Sequence, residues 1–498
     1  NGNVATYTDR NRVQTAYAYD LARNLEVSRT EAYGTALART ITTQWHPVYR
    51  LPTKIVAPSG MAGGNEVTDF VHDAQGNVLQ KTITAGATTR QWNLTHNAIG
   101  PVLTIDGPRT DVTDVTTYTY YDATEPCLEC RGNMKTTTNA AGHVTTFNSY
   151  DVDGQPTRIT DPNGVATTLT HDARGRLKTR SVNAGTPLAE TTGFDYDNAG
   201  QLVKVTLPDG GFLRYQYDAA HRLMETADSL GNVIQYTLDA MGNRIKEDAF
   251  DPSDRLVRTQ RRIYDTLNRL YNDIGATGQT SAYLYDGNGN LKTGTDPLSR
   301  NTALNYDALN RLLNSTDGAG GITRYGYDAK GRLLSVQDPI NLVTTYTYDG
   351  LGNLTQLSSP DTGTATYVPD AAGNVVGATD ARGMATSYVY DILNRQTLAS
   401  FAGGSVAFEY DSTATGGAFA KGRLTKVTDP SGSTTYAYDA WGRVLRKVQT
   451  VGSDTSALSL AVGYQHAAGR TTGITYPSGR VLSYAFDVQG RVIGMTVG

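Results

Sequence analysis

The chain has little of what most folds and active sites are built from. It holds two Cys, three Trp and six Met in 498 residues, and 18% of its residues are charged. Its single Cys-x-x-Cys has no second pair with which to complete a four-ligand zinc site. A net charge of -4 leaves no basic footprint for nucleic acid. No run of about 18 apolar residues exists to span a membrane, and no signal-peptide pattern opens the chain. The text begins with Asn and starts and stops inside a repetition, as a segment of a longer product would. What the chain does have is 52 Gly and 31 Tyr, the composition of turns and aromatic strands rather than of a disordered chain.

These residues recur as a phrase. TTYTYDGLGNL, from Thr344 to Leu354, returns nearly unchanged as TTYAYDAWGRVL from Thr434 to Leu445. Thr345 and Thr347 alternate with Tyr346 and Tyr348, the period of a strand with two unlike faces. Asp349 with Gly352 three positions on fits a type I turn, in which the carboxylate accepts a local N–H and Gly takes the left-handed conformation. Where Gly is missing, Asn stands in, at Asn268, Asn310 and Asn394. About ten residues later a second turn follows, as DPNG (161–164) or DPSG (429–432), which the same rule covers.

Each repeat is therefore one β-hairpin. With the Asp of YD as register mark, twenty-one slots run from Asp20 to Asp487, and ten of the intervals are 21 residues, six of them in succession from Asp265 to Asp391. The predicted turn residues include Asp197, Asp218, Asp265, Asp286, Asp307, Asp328, Asp349, Asp391 and Asp439. The predicted strand aromatics before them include Tyr217, Tyr285, Tyr306, Tyr327, Tyr348, Tyr390 and Tyr438, read as a cross-strand aromatic ladder. His46 and His466 stand at the Asp position. The spacing shows no compositional break, so 1–498 is read as one array, with irregular repeats over 1–150, mostly regular ones over 151–391 and irregular ones over 392–498. Extra residues between slots 122 and 151, and from Asp411 to Arg423, are expected in lengthened turns, because an insertion inside a strand would flip its faces.

The expected fold class is all-β: tandem antiparallel hairpins of about 21 residues in a long curled sheet. About 42 strands at roughly 4.8 Å each would make it on the order of 200 Å wide, and accumulated twist makes such a width curl.

YDALNRL, YDAKGRLLSVQDP, YDGLGNL and YDAWGRVL resemble the YD repeats of the Rhs family, which also occur in insecticidal toxin-complex C subunits and teneurins. The resemblance covers essentially the whole chain. It implies a spiral, hollow β-shell that encloses a C-terminal toxic polypeptide in the bacterial members, and export from a bacterium. It also implies secretion-apparatus or toxin-complex partners. The family's aspartate-dependent self-cleaving segment has no match here, since no DPxGLxG-type run follows Asp487, and no catalytic residue is carried over.

Individual residues read as parts of this pattern. All seven His fall on repeat positions, and the Asp residues are accounted for as turns, which leaves no catalytic pair. Asp286, Asn288 and Asn290 begin like an EF-hand, but Leu291 and Pro297 stand where Gly and Glu are required. Cys127 and Cys130 are free thiols or a short loop-pinning disulfide, packing side chains, or a metal or redox pair. No cofactor or metal site is assigned. The expected function is a non-enzymatic shell that holds and shields a polypeptide cargo from the same longer chain, with the Tyr/Leu side cementing the sheet and Thr, Ser, Gln and Arg forming a mildly polar lining. The alternative is an adhesion or carbohydrate-binding module working through its outer face. Losing one turn Asp, as in Asp328→Ala, is expected to cost about 1 kcal/mol or less.

Overall fold

A computed structural model of the chain describes residues 2–60, 64–452, 458–467, 470–487 and 491–498. Among them are forty-three strands, one 3-10 turn at Leu128–Cys130 and one helical turn at Thr413–Gly416. No helix among these residues is long and apolar enough to cross a membrane. From Leu270 to Tyr390 each strand pairs antiparallel with the next without interruption.

The turn at Asp328 shows how the sequence produces a hairpin. Strand Ile322–Tyr327 pairs with Leu333–Gln337, Tyr325 opposite Val336 and Tyr327 opposite Leu333. The Asp328 N–H donates to the Arg332 carbonyl (3.0 Å), and the Gly331 N–H donates back to the Asp328 carbonyl (3.1 Å). Closing both bonds requires a positive φ at the fourth residue, 88° at Gly331. Asn268, Asn310 and Asn394 supply the same conformation at 61°, 58° and 61°, and His221 does so at 63°. The carboxylate then fills the turn: Oδ1 accepts the N–H groups of Lys330 (2.8 Å) and Arg332 (2.9 Å), and Oδ2 accepts Arg332 Nε (2.5 Å).

That arginine also sets the spacing to the next repeat. Arg332 Nη1 donates to the carbonyl of Asp349, the next slot, while its guanidinium lies 4.8 Å from the Tyr348 ring. Arg311 does the same to Asp328 and Tyr327, and Arg269 to Asp286 and Tyr285. One side chain thus ties its own turn to the next Tyr-Asp pair, so an interval of fixed length is favoured. The slot tyrosines point their hydroxyls at carbonyls of the adjacent strand: Tyr285 at Leu270, Tyr306 at Leu291 and Tyr327 at Leu312, all within 3.1 Å. This corrects the expected ring-on-ring ladder. Among the described slot tyrosines only Tyr121 and Tyr150 meet edge to face, 6.4 Å apart. Over Tyr196, Tyr285, Tyr327, Tyr348, Tyr410 and Tyr438 a flat guanidinium covers the ring, which a half-buried phenol binds through its face while its hydroxyl stays free to donate.

The opposite ends of the hairpins close in the same way, as at Asp161, Asp296 and Asp338, whose carboxylates each accept two backbone N–H groups. DPSG departs from the rule. Asp429 pairs directly with Gly432 across a two-residue turn, because the next slot Asp follows after ten residues instead of eleven and one residue must be dropped to keep the faces in register. Both long insertions lie in turns: the Asp411 N–H reaches across to the Arg423 carbonyl (3.0 Å), and the Tyr121 N–H to that of Asn133 (2.9 Å).

The sheet faces are unlike. Most slot tyrosines and most leucines that open the return strands are half-buried, whereas most side chains two places before the slot Asp are exposed. That exposed row includes Leu284 (51%), Val368 (58%) and Val389 (50%), so it is a mixture of apolar and polar groups rather than the Thr, Ser, Gln and Arg surface expected.

The residues fall into two compact units, each made of two strips far apart in sequence: 1–116 with 263–394, and 117–262 with 395–498.

Candidate functional site

Within each unit the two strips meet along a seam of turns, their contacting residues 253 to 290 apart in sequence. The edges that meet are of opposite kind. YD-end turns of the later strip sit on the other-end turns of the earlier one.

In the first unit Asn11 Nδ2 donates to Asp286 (2.9 Å), and Asn288 Nδ2 donates to Asp9 (2.8 Å). The DGNGN segment is thus a turn at the seam. The next turns continue the row. Lys330 pairs with Glu66, and Arg39 donates to the Ala329 carbonyl (3.1 Å). Arg90 donates to the carbonyl of Ala371 (2.8 Å) and to Asn353 (2.9 Å). Arg109, its side chain 4% exposed, donates to the Asp391 carbonyl while paired with Asp111. Gly350 lies so close to Ala85 that a Cβ there would stand 2.3 Å from the Ala85 carbonyl oxygen. In the second unit Asn163 exchanges two hydrogen bonds with the backbone of Lys421 (3.1 and 2.9 Å), His143 lies 3.4 Å from Asp411, and Arg470 pairs with Asp209.

Seating changes a turn's surroundings. The Asp328 side chain is 2% exposed, and Asp439, over the second seam, is 10% exposed. Burial pushes the Asp328 carboxyl up, but the hydrogen bonds from the Arg332 backbone and side chain outweigh it and hold the group below the usual range. On an unseated turn the Arg176 side-chain bond dominates, and the Asp172 carboxyl falls to about 2. Arg269 lowers Asp265 and Arg222 lowers Asp218 in the same way. Desolvation raises the phenols of Tyr217, Tyr285, Tyr306, Tyr327, Tyr348, Tyr390 and Tyr438, which keeps their hydroxyls protonated as donors.

The remaining candidates have structural surroundings too. Asp197 Oδ1 accepts the Gly200 and Gln201 N–H groups, and Asp349 binds Asn353 through backbone and side chain. Asp307 binds Arg311, and Asp391 accepts the Leu393 N–H. His46 copies Asp, its Nδ1 accepting the N–H groups of Val48 and Tyr49. His466 stands one residue away from its expected place: it occupies the Tyr position, with the strand irregularity just before it and Nε2 2.8 Å from the Val444 carbonyl. Cys127 and Cys130 are joined as a disulfide within the long turn, Cα atoms 5.2 Å apart. Among the described residues no three His, Cys, Asp or Glu side chains gather as metal ligands would. Sequence reading missed the arginine four places after the slot Asp, though its signal, the recurrent Gly-Arg or Asn-Arg, was in plain view.

A ribbon of hairpins whose two edges recognise each other defines a self-stacking repeat wall. The teneurin YD-shell family model matches residues 65–246 and 237–402, and the RHS repeat model matches 420–455 and 466–498. The chain belongs to the YD-shell family. No curated protein sequence matches it. Among solved structures it is similar to the Photorhabdus luminescens Tc holotoxin pore, with 14% identity and a TM-score of 0.61 over 98% of this chain and 29% of that one. The TcdB2-TccC3 complex matches with 15% identity and a TM-score of 0.48 over 97% of this chain and 31% of that one. The chain therefore spans less than a third of either of these two solved chains.

Proposed function

We propose that this chain is a non-enzymatic wall segment of an exported bacterial toxin shell, which encloses and shields a toxic polypeptide belonging to the same longer protein. Its partners would be that cargo and the subunits of a toxin complex or secretion apparatus. The observation that carries the reading is the seam. A container needs joints between strips as well as within them, and here consecutive turns of one strip bind consecutive turns of another through side chains that the repeat itself supplies. The Asp and Tyr residues most regular in sequence are engaged in turns and strand contacts, which suits containment better than chemistry. Limited trypsin digestion of the complete toxin tests it. The cargo should resist digestion in the native protein and be cleaved when Arg109→Ala and Gly350→Ala loosen the seam. A cargo digested equally fast in both proteins, or equally resistant in both, would contradict the proposal.

A further inference from the structure

Seating leaves its mark on one residue of each hairpin, the one two places after the slot position. At slots 286 to 391 and at 439, all on the later strips, this residue is half-buried, whether it is Asn288, Leu309, Lys330 or Leu351. At slots 20 to 239, all on the earlier strips, it is exposed. Slot 265, the first of its strip, resembles these, with Leu267 48% exposed. Residue type does not decide the matter, because Val48, Ile99 and Met241 are 74%, 80% and 72% exposed at the place where Leu309 and Leu351 are covered. Position in the strips does.

The other ends of the hairpins show the same contrast. Asn163, the third residue of the DPNG turn, is half-buried in the seam of the second unit, where it exchanges its two hydrogen bonds with Lys421. Leu298 and Ile340 hold the same place in the turns at Asp296 and Asp338, and each is 73% exposed. In the first unit, strip 1–116 therefore leaves its YD-end turns open and strip 263–394 leaves its other-end turns open. These are the two kinds of edge that meet in the seam, and both free rims carry apolar tips. An occupant must present turns at the spacing of successive hairpins, two strands or about 10 Å apart, and the chain's own opposite rim does so. We propose that this chain stacks head to tail on a second copy of itself, the YD-end rim around Val48 and Ile99 of one copy seating on the other-end rim around Leu298 and Ile340 of the next. A contact between unlike edges is heterologous, so each copy added renews both rims and assembly continues past the dimer.

Sedimentation velocity of the full chain tests this. Between about 1 μM and 100 μM the mean mass should rise past that of two chains. Val48→Glu with Ile99→Glu closes one rim, and Leu298→Glu with Ile340→Glu closes the other; all four side chains are exposed tips, and the turn bonds at these positions are made by backbone N–H groups. Each double variant alone should remain a single chain. Mixed in equal amounts they should form a pair and nothing larger, because each still offers the rim that the other needs. That pairing also shows both variants to be folded. A parent that stays a single chain throughout, association that survives either double variant, or a mixture that does not pair would overturn the inference. So would protection of Val48 and Ile99 from hydroxyl-radical oxidation in the monomeric complete toxin, where a further strip of the toxin, not a second copy, would be the occupant.

Discussion

At Asp328 and at Asp296 the chain makes the same turn with the same bonds. Each carboxylate accepts the N–H groups two and four places on and the Nε of an arginine at the fourth, Arg332 in one case and Arg300 in the other. Their surroundings differ. The Asp328 and Arg332 side chains are 2% and 17% exposed under the seam, whereas those of Asp296 and Arg300 are 33% and 68% exposed. The comparison separates two jobs that one motif performs. The bonds shape the hairpin in either place, but only the seated copy holds its charges away from water, where losing one partner leaves the other uncompensated.

The largest effect should therefore come from Asp328→Ala, which strands the Arg332 guanidinium in the seam. The expected cost is about 3–5 kcal/mol, well above the 1 kcal/mol or less anticipated from a lone turn. Hydrogen exchange across 322–337 should accelerate by at least about a hundredfold; acceleration below about tenfold would make the seated turn no different from a free one. Next comes Gly350→Ala, whose new methyl would meet the Ala85 carbonyl at 2.3 Å and push the strips apart. Overpacking of this kind costs about 1–3 kcal/mol, and protection should fall in both 344–354 and 78–92. Gly294→Ala, with open space around the added Cβ, is the control and should leave both segments unchanged.

Acid sharpens the comparison further. Carboxyls lowered by folding stabilise fully above the unfolded Asp value of about 3.9, and that stability is lost as pH falls through the folded value. For Asp172 the window closes at about 2. The thermal midpoint should drop between about pH 4 and pH 2; a flat midpoint there would mean that the turn carboxylates do not stabilise the fold. The smallest effect belongs to Asp296→Ala, whose midpoint should match the parent within the precision of a melt. A loss comparable to that of Asp328→Ala would erase the distinction.

The hairpins were legible because their causes are local. Asp349 and Gly352 are three residues apart, and Tyr346 and Tyr348 alternate with threonines within one strand. The seam was not legible. Arg90 and Ala371 are 281 residues apart, and nothing in either segment marks the other as its partner. Composition likewise gives no sign that 1–116 groups with 263–394, since both strips are written in the same repeat.

The seam itself is most directly tested by zero-length carbodiimide cross-linking of the native chain followed by peptide mass spectrometry. Lys330 and Glu66 are an ion pair across 264 residues of sequence, so the account predicts an amide between these two side chains. In a mixture of isotopically light and heavy protein, both halves of the cross-linked peptide should come from the same molecule. Reaction of Lys330 with sequence neighbours alone, or cross-links that join light peptides to heavy ones, would contradict the account.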